Sequence, residues 1–144
     1  MRSVTTIRRA ALAAAAVASL GLINAPSAAA NWTSYISSWT DGNESRRWAD
    51  ESYSQVQFTN CFAQYGTQDS VVVKMWQDKP LQTDPSYGSK TFTNCFKGSG
   101  YTSNGEWTGL PSGDFYFEAD KIAQGGSCCL LNVSTVYVDT TQAD

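Results

Sequence analysis

The sequence predicts an all-β protein: a small, disulfide-stabilised β-sandwich of six or seven strands, Greek-key-like in its connections, with an extended N-terminal arm. Three observations support this class. Apolar and polar side chains alternate in several runs after position 50, which is the two-residue period of half-buried strands. Clusters of Gly, Pro, Asn and Ser separate these runs at a spacing typical of sandwiches. The pentapeptide Phe-Thr-Asn-Cys-Phe occurs twice, at 58–62 and 92–96, so that two predicted strands each carry a cysteine.

The first thirty residues have the features of a secretory signal peptide. Arg2, Arg8 and Arg9 precede an apolar run that is too short to span a membrane, and alanines at 28–30 form a small-residue cleavage site. We therefore expect a secreted, extracellular protein without a membrane span. The predicted regions are a signal peptide at 1–30, a flexible N-terminal arm at 31–47 and a β-sandwich domain at 48–144.

From position 51 onward the pattern predicts strands joined by turns. In the first, at 52–62, Val56, Phe58 and Phe62 are expected to share one face. Further β-branched or aromatic runs predict strands at 71–77, 91–97, 106–110, 114–122 and 130–140. Segments rich in turn-forming residues predict loops at 78–88, 98–105, 111–113 and 124–127.

The segment from Leu110 to Tyr116 resembles the tyrosine corner of Greek-key sandwiches. A turn at 111–113 would precede a strand, and the hydroxyl of Tyr116 would bond to upstream backbone. In that strand the alternation places Phe115 and Phe117 opposite Tyr116. Trp107, on the preceding predicted strand, is expected to be buried.

Four cysteines follow the signal peptide: Cys61, Cys95, Cys128 and Cys129. An exported protein keeps them oxidised, and three connectivities are possible. If the two repeat strands lie side by side, Cys61 pairs with Cys95 and a vicinal bridge joins Cys128 to Cys129. In the alternative, Cys61 and Cys95 each pair with one of the adjacent cysteines. The chain lacks histidine and paired C-x-x-C spacing, so we expect no zinc site or other metal.

Charge and the missing histidine narrow the functional classes. All 13 acidic residues but only 7 of the 10 basic residues follow position 30, which gives this part a net charge of −6. Such a domain repels phosphate backbones, so a nucleic-acid partner is not expected. Ser-His-Asp, Cys-His and His-metal sites cannot be built. Glu106 with Glu118 or Asp120 is a conceivable glycosidase pair, but acidic residues on strands usually lie on the solvated face. We therefore expect that this protein is not an enzyme and binds no cofactor.

The segment 31–47 combines aromatic residues with Ser, Thr, Asn and Gly and has no clear strand or helix period. One interpretation is a frayed terminus with one tryptophan packed loosely on the domain. The other is an arm that orders on a partner and uses aromatic anchors. The anchor candidates are Trp32, Tyr35, Ile36 and Trp39.

Arg46 and Arg47 form an adjacent basic pair on an acidic protein. They either bind a partner or pair with Asp50 or Glu51 nearby. Trp76 ends a predicted strand, a position where exposed aromatic side chains often make contacts, so we include it among the partner-binding candidates.

Several motifs resemble small secreted proteins of filamentous soil bacteria: Glu-Ser-Arg-Arg-Trp at 44–48, the two Thr-Asn-Cys-Phe runs, Gly-Glu-Trp-Thr at 105–108 and Leu-Pro-Ser-Gly-Asp-Phe-Tyr-Phe at 110–117. The chain is similar to the adaptor subunits of umbrella toxin particles, and the resemblance covers most of the region after residue 30.

That resemblance implies a β-rich adaptor that joins two other secreted subunits in an antibacterial complex. One subunit is a toxin protein with alanine-leucine-phenylalanine-rich repeats, on which the folded body sits. The other is a lectin with a trypsin-like, non-proteolytic domain, whose cleft receives the extended N-terminus. Residues 31–47 match this arm in position and character.

Two other functions are compatible with the residues. A carbohydrate-binding module would stack sugar rings on Trp76, Tyr87 and Tyr101. A protease inhibitor would place the arm, or the loop at 87–90, in a protease cleft.

Overall fold

The computed structural model describes residues 31–141, and the predicted signal peptide at 1–30 lies outside the described residues. The described chain is nearly all β and forms one antiparallel sheet with the strand order β1-β6-β2-β5-β3-β4. The strands are β1 (Trp32–Trp39), β2 (Trp48–Gln64), β3 (Val71–Asp78), β4 (Ser86–Phe92), β5 (Thr102–Ile122) and β6 (Leu130–Asp139). The prediction of an all-β fold with six or seven strands is confirmed.

The sheet folds over itself, which gives it a sandwich-like core. Two strands separate β1 from β5 in the sheet order, yet the rings of Trp32 and Phe117 stack with their centroids 6.4 Å apart. Phe58 on β2 meets the same Phe117 ring at 5.4 Å. The apolar face of the first half of the sheet therefore covers that of the second half, and both are removed from water.

The two copies of the repeated pentapeptide meet, but they differ in conformation. Phe58 and Phe92 pack edge to face with centroids 5.1 Å apart, and a disulfide joins Cys61 to Cys95. The first copy lies within β2, as predicted. The second leaves β4 after Phe92 and continues as a 3₁₀ helix over Asn94–Lys97, so the strand predicted at 91–97 is wrong beyond Phe92.

Both disulfides follow the pairing that places the repeats together. Cys128 and Cys129 form the vicinal bridge, and the described residues contain no free cysteine. The alternative connectivity is therefore excluded.

Asn60 changes which face of β2 points into the core. Its backbone adopts a left-handed conformation, with φ of 56°. Val56 and Phe58 are buried before it, whereas Cys61 and Ala63 are buried after it. Phe62 consequently points outward and is 61% exposed, so its predicted position on the face of Val56 and Phe58 is wrong.

One continuous strand replaces the predicted strand, turn and strand between 106 and 122. β5 is 21 residues long, and its pairing with β2 shifts register between the pairs Asp50–Gly113 and Ser52–Leu110. Pro111 lies in this unpaired stretch, where its missing N–H interrupts no ladder bond. Beyond the shift, Phe115 and Phe117 are buried in the core, as the alternation predicts.

The hydroxyl of Tyr116 does not bond to upstream backbone as in a tyrosine corner. It donates instead to Asp84 Oδ2 at 2.7 Å. Trp107 is buried as predicted, and its Nε1 donates to the carbonyl of Gly88 at 3.2 Å.

The predicted flexible arm at 31–47 is part of the sheet. β1 pairs with β6 from Trp32 to Trp39, and residues 42–45 bond to β5 through the backbone of Phe117 and Ala119. The boundary placed at 47/48 is therefore wrong. Register shifts on both sides of Ile36, together with the left-handed Ser38 (φ 55°), remove the two-residue period from this stretch of sequence.

The Cys61–Cys95 bridge should supply much of the stability. It spans 34 residues, so replacing both cysteines with alanine should lower the free energy of unfolding by about 3–4 kcal/mol in the loop-entropy model. Urea unfolding of the oxidised protein measures this loss. As a control, Cys128→Ser/Cys129→Ala removes a bridge that closes no loop and should cost about 1 kcal/mol or less. Equal losses of stability in the two variants would contradict the larger contribution assigned to the Cys61–Cys95 bridge.

Asp50 should make stability depend on pH. Its carboxylate is buried, which raises its pKa, although hydrogen bonds from Ser54 Oγ and the Glu51 N–H partly oppose that shift. A carboxyl pKa that is higher in the folded state favours folding while protonated, so this stabilisation is lost as pH rises through the folded pKa. Relative to Asp50→Asn, the wild type should lose stability as the pH rises above the ordinary Asp pKa of about 3.9 and through the raised pKa of the folded state. Urea titrations across this range test it, and a constant difference would contradict it.

Candidate binding cleft beside the edge strand

An apolar cleft lies between β1 and the chain that leads into β2. Its volume is about 100 Å³. Trp32, Ile36 and Trp39 of β1 form one side, and Ser45, Arg46 and Phe117 form the other. Ser34, Tyr35 and Val136 complete the lining. The cleft is therefore a gap in the seam where the folded sheet brings its first strand close to β5.

Most of the predicted partner-binding residues meet at this cleft. Seven residues were predicted from the sequence to bind a partner, and five of them line the cleft: Trp32, Tyr35, Ile36, Trp39 and Arg46. Four were predicted as anchors of a free arm and Arg46 as part of a basic pair, whereas the structure assembles them into the wall of a pocket. Sequence reasoning missed Ser34, Ser45, Phe117 and Val136, because their position depends on how the sheet folds over.

Trp32 is the centre of the cleft wall. It is only 9% exposed, it packs on Trp48 at 5.7 Å, and the guanidinium of Arg46 lies 5.2 Å from its ring centroid. Its Nε1 is buried and has no hydrogen-bond partner among residues 31–141. A buried N–H without an acceptor is costly, so an acceptor supplied by a ligand would be favourable here.

β1 is also an edge of the sheet. Among the described strands it pairs only with β6. Its sequence, Trp-Thr-Ser-Tyr-Ile-Ser-Ser-Trp, contains neither a charged residue nor a proline. Natural sheets protect their edges with such residues or with bulges, and β1 has only the register shifts beside Ile36, so its backbone edge is partly open to another strand.

Arg47 and Trp76 belong to a different surface, on the outer side of β3 and β5. Arg47 bonds to Glu44 at 2.8 Å and to Asp78 at 3.2 Å, and its guanidinium lies 3.8 Å from the ring centroid of Tyr116. Its acidic partners are therefore not Asp50 or Glu51. Trp76 is half-buried, and its Nε1 donates to Glu118 at 2.6 Å. Both side chains are held by internal partners and lie outside the cleft.

The same outer surface shifts two pKa values. Burial, and then the hydrogen bond to Asp84, raise the pKa of Tyr116. The pKa of Asp84 is lowered by the Lys79 N–H and by the Tyr116 hydroxyl. Tyr116 therefore stays a protonated donor and Asp84 an ionised acceptor over the physiological pH range.

The residues predicted for sugar stacking, for a protease-inhibiting loop and for a glycosidase pair do not form such sites in the structure. Tyr87 packs on Phe115 and donates to Gln77, so it does not share an exposed stacking surface with Trp76 and Tyr101. Residues 87–90, expected in a loop, belong to β4. Glu106 accepts hydrogen bonds from Tyr53 and Gln55, whereas Glu118 binds Trp76. The conceivable glycosidase pair therefore serves two separate structural contacts.

Comparison of the chain with protein-family models, with curated proteins and with solved structures gives no match. No helix among residues 31–141 is long and apolar enough to cross a membrane, and the same residues contain no cluster of three or more His, Cys, Asp or Glu side chains that could hold a metal ion.

The two arginines should differ in their contribution to stability. Arg47 combines two partly exposed ion pairs with a close aromatic contact, so Arg47→Ala should cost about 1–2 kcal/mol. Arg46 makes only the longer contact with Trp32, so Arg46→Ala should cost less than about 1 kcal/mol. Chemical denaturation of both variants measures which loss of stability is larger. A larger loss for Arg46→Ala would show that Arg46 has a structural role in the cleft.

Proposed function

We propose that this chain is a secreted, non-enzymatic adaptor that binds another extracellular protein through the cleft and the β1 edge. The observation that carries this proposal is the convergence of four predicted anchor residues and Arg46 on one apolar cleft beside an edge strand. Aromatic residues and arginine are enriched among the residues that dominate binding energy in protein interfaces.

The cleft suits a peptide ligand. A volume of about 100 Å³ is enough for one apolar side chain and too small for most drug-sized ligands. A partner strand along β1 would gain backbone hydrogen bonds and could place that side chain between Trp32 and Trp39. The guanidinium of Arg46, which lines the cleft, favours an acceptor such as a carbonyl or a carboxylate next to that side chain.

The first thirty residues and the two disulfides support an extracellular location. The resemblance to umbrella-particle adaptors supports two partners: the lectin with a trypsin-like domain and the toxin protein with alanine-leucine-phenylalanine-rich repeats. Trp32 and Ile36 belong to the core. We therefore propose that the lectin binds at the assembled β1 edge, and that no free N-terminal arm of this chain enters the cleft of the lectin's trypsin-like domain.

A bulky residue in the cleft should block the partner. Ser34 is exposed on an edge strand and lines the cleft, so Ser34→Trp should fill it without disturbing the core. Ser89→Trp is the matched control, because Ser89 is an exposed serine on β4, at the opposite edge of the sheet. We expect Ser34→Trp to weaken binding to the purified lectin subunit by at least about tenfold, and Ser89→Trp to leave it unchanged. Isothermal titration calorimetry measures both.

The possible results distinguish the adaptor role from the choice of the cleft as docking site. If the wild type binds neither the lectin subunit nor the repeat protein at about 50 μM, the adaptor proposal is wrong. If the lectin binds and Ser34→Trp has no effect, the adaptor role stands but the cleft is not its docking site.

A further inference from the structure

A second depression lies on the outer face of the sheet, across β1, β6 and β2. It is an open groove of about 420 Å³. The exposed rings of Tyr35 and Phe62 stand on its two sides, and between them lie Ser37, Asn60, Asn132 and Ser134. Ile36 and Val133 complete the lining. This groove is separate from the cleft described above, although Tyr35 and Ile36 border both.

The groove exists because two strands change their conformation at the same level. Left-handed Asn60 turns Phe62 to the outside of β2, and left-handed Ser38 follows the register shifts in β1. Asparagine is one of the few residues besides glycine that readily adopts this conformation. As a result Phe62 is 61% exposed, and Tyr35, which faces outward next to the buried Ile36, is 71% exposed.

The polar floor is rigid and still has capacity to bind. Asn60 Nδ2 donates to Ser134 Oγ at 2.7 Å, and Asn132 accepts a hydrogen bond from the Ser38 N–H at 3.1 Å. These bonds fix both amides. The Oδ1 of Asn60 and the hydroxyls of Tyr35 and Ser37 have no partner among residues 31–141. The groove thus offers oriented donors and acceptors next to two aromatic rings.

No charged side chain lines the groove, although the domain as a whole is acidic. Phosphates, carboxylates and cations therefore have no counter-charge there. Exposed rings with neutral amides and hydroxyls fit a hydroxylated ring compound, whose C–H face lies on an aromatic ring while its hydroxyls exchange hydrogen bonds with the floor. The groove volume falls in the range of roughly 300–1,000 Å³ that is typical of small-ligand sites.

We propose that this groove binds a neutral oligosaccharide, with sugar rings on Phe62 and Tyr35 and hydroxyls bonded to Asn60, Ser37 and Ser134. The groove shares Tyr35 and Ile36 with the proposed protein-docking cleft, whereas Phe62, Asn60 and Ser134 line the groove alone.

The test uses the purified oxidised chain and three neutral probes: cellohexaose, chitohexaose and maltohexaose. Titrations followed by ¹H–¹⁵N NMR should show at least one probe binding, with Kd of about 0.05–5 mM and shifts centred on Asn60, Phe62 and Ser134. Phe62→Ala should weaken this binding by at least about tenfold. Phe62 is exposed, so its removal leaves the core intact.

Two further variants complete the design. Asn60→Gly keeps the left-handed backbone but removes the amide, and it should weaken binding by about three- to tenfold. Tyr65→Ala removes a ring that is as exposed as Tyr35, at 71%, but lies outside the groove, and it should bind like the wild type. Absence of binding by all three probes at about 10 mM overturns the proposal, as does binding that Phe62→Ala leaves unchanged. Neither Phe62 nor Asn60 lines the cleft, so failure here leaves the adaptor proposal untouched.

Discussion

The structure depends on a single sheet that folds over its own apolar face. Phe117 lies where the two halves of the folded sheet come into contact. One sheet alone would leave one face of every strand in water. Phe117 on β5 contacts Trp32 and Trp39 from β1, and Trp48 and Phe58 from β2. The contacts with Trp32 and Trp39 bring together β1 and β5, which are not neighbours in the sheet. The cleft lies at the edge of this aromatic cluster, where β1 and the chain before β2 leave a gap.

Departures from regular strand geometry create both candidate sites. The register shift between Ile36 and Trp39, with the left-handed Ser38, lets Trp39 line the cleft with Ile36 although the two are three residues apart. The left-handed Asn60 keeps β2 paired with β6 while its side chains exchange faces. A regular β1 and β2 would bury or expose different residues and would present neither the cleft nor the groove. These irregularities therefore place the functional side chains.

The surfaces of the domain differ in how their polar groups are satisfied. On the outer side of β3 and β5, Arg47, Tyr116, Asp84, Trp76 and Glu118 bond to one another. On the side of β1, by contrast, the buried Trp32 N–H has no hydrogen-bond partner among residues 31–141. A buried polar group without a partner is rare in native proteins, so it distinguishes the β1 side from the outer side of β3 and β5.

The sequence alone determined the all-β class, the burial of Trp107 and the alternation around Phe115 and Phe117, because a two-residue period is a local property of a strand. The two matching pentapeptides also indicated the Cys61–Cys95 pairing. The sequence also indicated four of the nine cleft-lining residues as anchors, yet it assigned them to a free arm, because the irregularities in β1 erase the period. Only the tertiary structure decided that β1 belongs to the sheet, that the second pentapeptide becomes a 3₁₀ helix and that Phe62 faces solvent. Each of these depends on contacts between residues far apart in sequence or on a single left-handed residue, and neither leaves a local pattern.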